Sequence, residues 1–152
     1  MKISVLGINR NELQSGKNLA EMGNEIVYVC KDDDKIEDFK RGYYTDSEKE
    51  ILKSVRKGKS FDFTADLREA LDGSSMCFIS ECNVGGTSEL FTILSNAKDV
   101  GANMCNHTFI IDRSNLSMNI VREIKDTIQS ELDKRASNLT FEVISDSAFL
   151  RA

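Results

Sequence analysis

Short runs rich in β-branched and aromatic residues alternate with longer helix-patterned segments along the whole 152-residue chain. The strand-like runs are Ile3–Leu6, Glu25–Cys30, Phe61–Phe63, Ser75–Ser80, Thr108–Asp112 and Thr140–Ile144. Between them lie helical patterns at Glu12–Met22, Asp34–Lys40, Asp46–Lys57, Asp66–Leu71, Thr87–Val100 and Asn115–Lys134. Strands separated by helices of this length pair in parallel, and right-handed crossovers place the helices on both faces. The expected architecture is α/β: a doubly wound, mostly parallel six-stranded sheet in the order 3-2-1-4-5-6. No linker, repeat or low-complexity stretch interrupts residues 1–152, so one domain is expected.

Local signals agree with these boundaries. Gly23-Asn24 follows Leu19 and Met22 and predicts a left-handed end to the first helix; Gly58 after Val55 and Gly73 after Leu71 do the same. Asp66 is an N-cap, and Glu69 three residues on predicts a capping box. Met118, Val121, Ile124, Ile128 and Leu132 form an apolar stripe that should face the sheet.

Composition narrows the partners. The net charge is −5, with 20 Lys and Arg interleaved among 25 Asp and Glu, which leaves no basic face for nucleic acid. No apolar run nears the roughly 20 residues of a bilayer-spanning helix, and Met1–Leu6 is too short for a signal peptide. Cys30, Cys77, Cys82 and Cys105 lack C-x-x-C spacing. They read as small buried thiols in a reducing cytoplasm. A zinc site is not expected, because His107 is the only histidine and opens an apolar strand.

In a sheet of this order, ligands bind at the carboxyl ends of the strands, where the winding reverses. The turn after the first strand, Gly7-Ile8-Asn9-Arg10-Asn11-Glu12, is therefore the centre of any functional reading. A Rossmann-type dinucleotide loop has glycine at the first, third and sixth positions, for a tight turn, close approach of the pyrophosphate and close helix packing. Only Gly7 remains. Asn9 tolerates unusual backbone angles, but its side chain fills pyrophosphate space. The Glu12 carboxylate is expected to compete with phosphate for the positive end of the helix. Arg10 can offset this by pairing with phosphate oxygens. The acid that holds the ribose hydroxyls, about 20 residues on, falls at Cys30, with Asp32 close by. Two readings stand: a weakened dinucleotide loop with Asp32 in support, or a turn that serves the fold while Asp32–Asp34 cap the next helix.

End to end, the chain resembles the N-terminal domain of the UDP-glucose/GDP-mannose dehydrogenase family. Leu19-Ala20-Glu21-Met22-Gly23-Asn24-Glu25-Ile26-Val27 is similar to its "L-A-E-x-G-H-E-V" segment. Phe63-Thr64-Ala65-Asp66-Leu67-Arg68-Glu69-Ala70 is similar to "F-T-T-D-L-x-E-A". Val143-Ile144-Ser145-Asp146-Ser147-Ala148-Phe149-Leu150-Arg151 resembles "V-S-N-P-E-F-L-R". The strand Met76–Ser80 resembles the one that leads to the family's "G-T-P" loop.

The resemblance implies NAD as cofactor and a nucleotide-sugar as substrate, oxidised at C6. Carried over by position, the cofactor set is Gly7, Asn9, Arg10, Asn11, Asp32, Lys35, Ser80 and Ser114. Lys35 keeps the basic character found near the adenosine, and Ser114 is retained from "K-S-T-V-P". The threonine of that motif is Asn115, and the family's catalytic glutamate is Ala148, which neither takes nor gives a proton. The family's cysteine and lysine lie in later segments absent from these 152 residues. The chain also has no proline where the family's loops carry several. These departures lead to the expectation of a divergent NAD-binding domain that holds NAD weakly or not at all, with no catalytic residue of its own. It would be cytoplasmic, and either a homo-oligomer or joined to a C-terminal domain. The alternative is a non-catalytic Rossmann module acting in protein interaction or regulation without NAD. Another NAD(P) dehydrogenase type explains Phe149-Leu150-Arg151 less well.

Overall fold

A computed structural model describes residues 1–7, 10–30, 33–41, 43, 45–46, 48–49, 61–79, 89–113 and 119–145. In chain order the elements are β1 (Lys2–Leu6), α1 (Arg10–Glu21), β2 (Glu25–Val29), α2 (Asp33–Lys40), β3 (Phe61–Thr64) and α3 (Leu67–Leu71). They continue with β4 (Met76–Ile79), α4 (Glu89–Asn103), β5 (Thr108–Asp112), α5 (Asn119–Lys134) and β6 (Phe141–Ser145). All six strands join one parallel sheet in the order β3-β2-β1-β4-β5-β6. The predicted architecture holds, and the strand ends move by no more than one residue at either terminus. The helix expected at Asp46–Lys57 and the turn at Gly58 lie largely outside the described residues.

β1 is the axis of this arrangement, paired with β2 on one side and β4 on the other. Its Ser4 side chain is fully buried, and its hydroxyl donates to Ala70 O at 2.8 Å and meets Ser74 Oγ at 2.5 Å. Ser74 Oγ also donates to Ala70 O at 2.6 Å. Burying a hydroxyl is tolerable only with such partners, so this network welds the end of α3 to the centre of the sheet.

One sheet face is covered by α3, α4 and α5. Ile120, Ile124, Ile128 and Leu132 of α5 are buried against Cys77, Ile79 and Ile110. The predicted stripe thus holds from Ile124 onward, but Ile120 takes the buried place expected of Val121, which is only half-buried, and Met118 lies outside the described residues. α4 and α5 approach closely at Gly101, where a Cβ would lie 2.9 Å from Glu131 Cβ and 3.0 Å from Ile128 O. Arg135 binds the α4 end, donating to Gly101 O at 2.9 Å and Met104 O at 3.1 Å.

α1 and α2 cover the other face. Leu13, Ile36 and Phe39 pack on Val5, Tyr28 and Phe63. Tyr28 and Phe63 stack with ring centroids 5.3 Å apart, and Phe39 lies 5.0 Å from Phe63. Of the described cysteines only Cys77 is buried, while Cys30 and Cys105 are half-buried, so burial of all the thiols was too broad an expectation. His107 is exposed, with its ring beside Thr140 Oγ1 at 2.7 Å and edge-on to Phe109.

The helix ends follow the sequence signals with one correction. Gly23 (φ 95) and Gly73 (φ 77) adopt the left-handed conformation. Asp66 caps α3 by accepting from the Arg68 and Glu69 amides. The reciprocal half of the predicted box is not direct, however. Thr64 Oγ1 accepts from the Asp66 amide at 3.0 Å and donates to Glu69 Oε2 at 3.3 Å, so a hydroxyl at the end of β3 relays the contact.

Candidate functional site

The site is built at the carboxyl end of β1. Gly7 leaves the strand at φ 117, a region that L side chains rarely adopt, and its amide donates to Val29 O at 2.8 Å. α1 starts at Arg10, three residues on, so its unsatisfied amides and positive dipole end lie beside the point where the sheet winds in opposite directions. Arg10 and Asn11 are its first two residues. Asn9, Asp32, Ser80 and Ser114 lie outside the described residues. Lys35 is in the first turn of α2, with its ammonium 6.0 Å from the Phe39 ring centroid.

Glu12 is only 3% exposed. It stands in the first turn of α1, whose positive end a phosphate would also seek. Its charge is felt by Tyr28 of β2, whose hydroxyl is held well above the ordinary tyrosine range, first by burial and then by Glu12.

The close helix–strand contact that the third glycine of a dinucleotide loop would permit occurs one turn later. A Cβ at Gly16 would overlap the Tyr28 hydroxyl and ring, and that hydroxyl is fixed by donating to Leu13 O at 2.9 Å. An isolated glycine inside a helical pattern was the available sequence signal for this contact.

Arg113 directly follows β5, and its amide donates to Ile79 O at 2.9 Å. Its guanidinium lies 5.9 Å from the Phe78 ring centroid and donates to Ser15 Oγ on α1. A cation thus ties the β4–β5 half of the sheet to α1. With the partners 98 positions apart, spacing alone carried no trace of this link.

At the end of β2, the Cys30 amide donates to Thr64 O at 3.1 Å. Its half-buried thiol packs against the α1–α2 cluster, as does Ala65. At the carboxyl end of β6, a cavity of about 680 Å³ lies between α5 and β6, lined by Val121, Lys125, Val143 and Ile144 among others. Among the described residues no helix is long and apolar enough to cross a membrane.

Comparison with known proteins agrees with this geometry. UDP-glucose 6-dehydrogenase of Pseudomonas aeruginosa is 25% identical over 157 residues, covering 99% of this chain and 35% of that protein. UDP-glucose 6-dehydrogenase TuaD of Bacillus subtilis is 27% identical over 156 residues, covering 99% of this chain and 33% of that protein. The chain therefore spans about a third of the length of these curated relatives. Among solved structures, a UDP-glucose dehydrogenase from the hyperthermophilic archaeon Pyrobaculum islandicum superposes with a TM-score of 0.77 at 18% identity, over 95% of this chain and 35% of that one. A GDP-mannose dehydrogenase of Pseudomonas aeruginosa, solved as a ternary complex, gives 0.76 at 19% identity over the same shares. At these identities the structures establish the shared Rossmann-type fold. The model of the UDP-glucose/GDP-mannose dehydrogenase family's NAD binding domain matches residues 1–152, and the chain belongs to that family.

Proposed function

We propose that this chain is the dinucleotide-binding unit of a nucleotide-sugar dehydrogenase, that it holds NAD weakly, and that it performs no oxidation by itself. The observation that carries this reading is the Gly7 turn. A glycine at φ 117 ends the central strand, and a helix begins three residues later at the switch point of the sheet. The turn shape fits a dinucleotide, while the negative charge of Glu12 in the first turn of α1 opposes its phosphates. Gly7, Asn9, Arg10 and Asn11 would hold the pyrophosphate. Lys35 and Asp32 would flank the adenosine ribose, and Ser80 and Ser114, which follow β4 and β5 in sequence, complete the set. Bound NAD supplies the hydride acceptor, while the chain's own part is to bind and orient it. Ala148 stands where a proton-transferring acid would be needed.

Titration calorimetry with NAD, NADH and UDP-glucose tests this. NAD is expected to bind with a dissociation constant on the order of 0.1–1 mM, about −4 to −5.5 kcal/mol. No heat from either dinucleotide at several times that concentration would overturn it. Asn9→Gly combined with Glu12→Gly is expected to tighten NAD, and unchanged affinity would locate the weakness outside this turn.

The second reading is a Rossmann module that works through a partner without NAD. The buried Glu12 charge at the start of α1 favours it. Absence of dinucleotide binding in the same titrations would support it.

A further inference from the structure

We propose that the Asp72-Gly73 peptide is a latent isomerisation site, and that the Asn106 side chain holds it closed. The site lies at the amino-terminal end of the sheet and is independent of what the opposite strand ends bind.

An aspartate rearranges fastest when glycine follows it, because no side chain shields the glycine nitrogen. That nitrogen attacks the carboxyl carbon of the aspartate side chain, the new C–N bond expels water, and a five-membered imide results. Water then opens the imide at either carbonyl. One product is the original aspartate, and the other is its β-linked isomer, with an extra carbon in the main chain. Nothing is oxidised or reduced, and the water lost in the first step returns in the second. Asp72-Gly73 is the one Asp-Gly pair in the sequence, which has no Asn-Gly.

Both residues are exposed, and a Cβ built on Gly73 would meet nothing within 4 Å, so water reaches the turn freely. Two contacts nevertheless hold its peptide. The Gly73 amide, the nucleophile of the rearrangement, donates to Asn106 Oδ1 at 2.9 Å. Asn106 is itself fixed, since its Nδ2 donates to Ser74 O at 2.8 Å and to His107 O at 2.9 Å. At the other end of the same peptide, Asp72 O accepts from Lys2 Nζ at 2.7 Å. Ring closure requires the Gly73 nitrogen to eclipse the Asp72 Cβ about the Cα–C bond. At the observed ψ of 113 the nitrogen is turned away from it. The peptide must swing round before the ring can close, and that motion breaks the bonds to Asn106 and Lys2 together. The isomer would lengthen the main chain just before Ser74, whose hydroxyl meets Ser4 of the central strand.

The test is incubation of the folded wild-type chain, Asn106→Ala and Ile128→Ala at physiological temperature and neutral pH, beside a synthetic peptide of Arg68–Met76. The β-linked residue is counted by peptide mapping with electron-transfer fragmentation, which distinguishes the isomers. Wild type is expected to accumulate it at least about tenfold more slowly than the peptide, and Asn106→Ala about fivefold faster than wild type. Ile128→Ala weakens the core away from this turn and should stay within about twofold of wild type while folded. A wild type that isomerises as fast as the peptide would overturn the proposal, and so would a folded Asn106→Ala that keeps the wild-type rate. An Ile128→Ala as fast as Asn106→Ala would overturn it too, because global opening would then set the rate. The comparison of wild type with the peptide decides even where a variant does not fold.

Discussion

On the α3–α5 face of the sheet, the buried core is built from Ile, Leu, Val, Ala, Cys and Met, with no aromatic ring among its described buried members. The α1–α2 face is different: Tyr28, Phe39, Phe63 and Phe78 dominate it, with Glu12 buried and Arg113 half-buried alongside. Aliphatic cores tolerate volume-conserving exchange and resist cavities. A stacked aromatic set with fixed polar ends instead holds one helix in one position. The Tyr28 hydroxyl on Leu13 O and the Arg113 guanidinium on Ser15 both restrain α1, the helix whose start forms the candidate site. The first face keeps the chain folded, and the second sets where the turn after β1 stands.

Alkali should break both faces and gives the largest expected effect. Burial pushes the Cys77 thiol up to about 12 from its ordinary 9.0, and burial followed by Glu12 raises Tyr28 further still. Both groups are favoured in the fold while neutral, so the stability they lend is complete below pH 9 and drains as pH climbs toward 12. The urea midpoint should fall steeply between pH 8 and pH 11.5, and Cys77→Val should soften the fall. Equal midpoints at the two pH values would contradict the burial argument.

Ile128→Ala attacks the aliphatic face alone. It should cost about 2–5 kcal/mol in denaturant unfolding, because Ile128 is fully buried where α5 meets α4. Gly16→Ala is the counterpart on the aromatic face. Its methyl must displace a tyrosine held by a ring stack and a hydrogen bond, at about 1–3 kcal/mol. The two faces would be further distinguished by dinucleotide affinity, which Gly16→Ala should lower and Ile128→Ala should not once the protein is folded. The smallest effect is a gain. Ala136 ends α5 at φ 51, where glycine is favoured, so Ala136→Gly should add about 0.5–1 kcal/mol. A lower melting temperature would count against that reading of the helix end.

The order of the sheet was legible because it depends on rules of alternation and handedness that act over whole segments. The caps at Gly23, Gly73 and Asp66 were legible because their chemistry is local. What escaped the sequence is contact between distant segments. The Thr64 relay in the α3 cap needs β3 to end beside that helix. The Gly16–Tyr28 fit needs α1 laid on β2, and the Arg113–Ser15 link needs β5 brought across β4. The same holds at the site. Gly7 announced itself by type, but the burial of Glu12 and its effect on Tyr28 depend on α1 lying against β2, which no spacing encodes.

The central place of β1 also has a consequence in time. Within this sheet the strand Lys2–Leu6 comes first in the chain and receives β2 soon afterwards, but its other edge is completed only by β4, which begins at Met76. At 5–20 residues per second, that edge and the Ser4 hydroxyl wait roughly 4–14 seconds for their partners. During that interval an apolar parallel strand is half-satisfied, as an exposed edge open to foreign pairing. That exposure ends only when Met76–Ile79 pairs with β1.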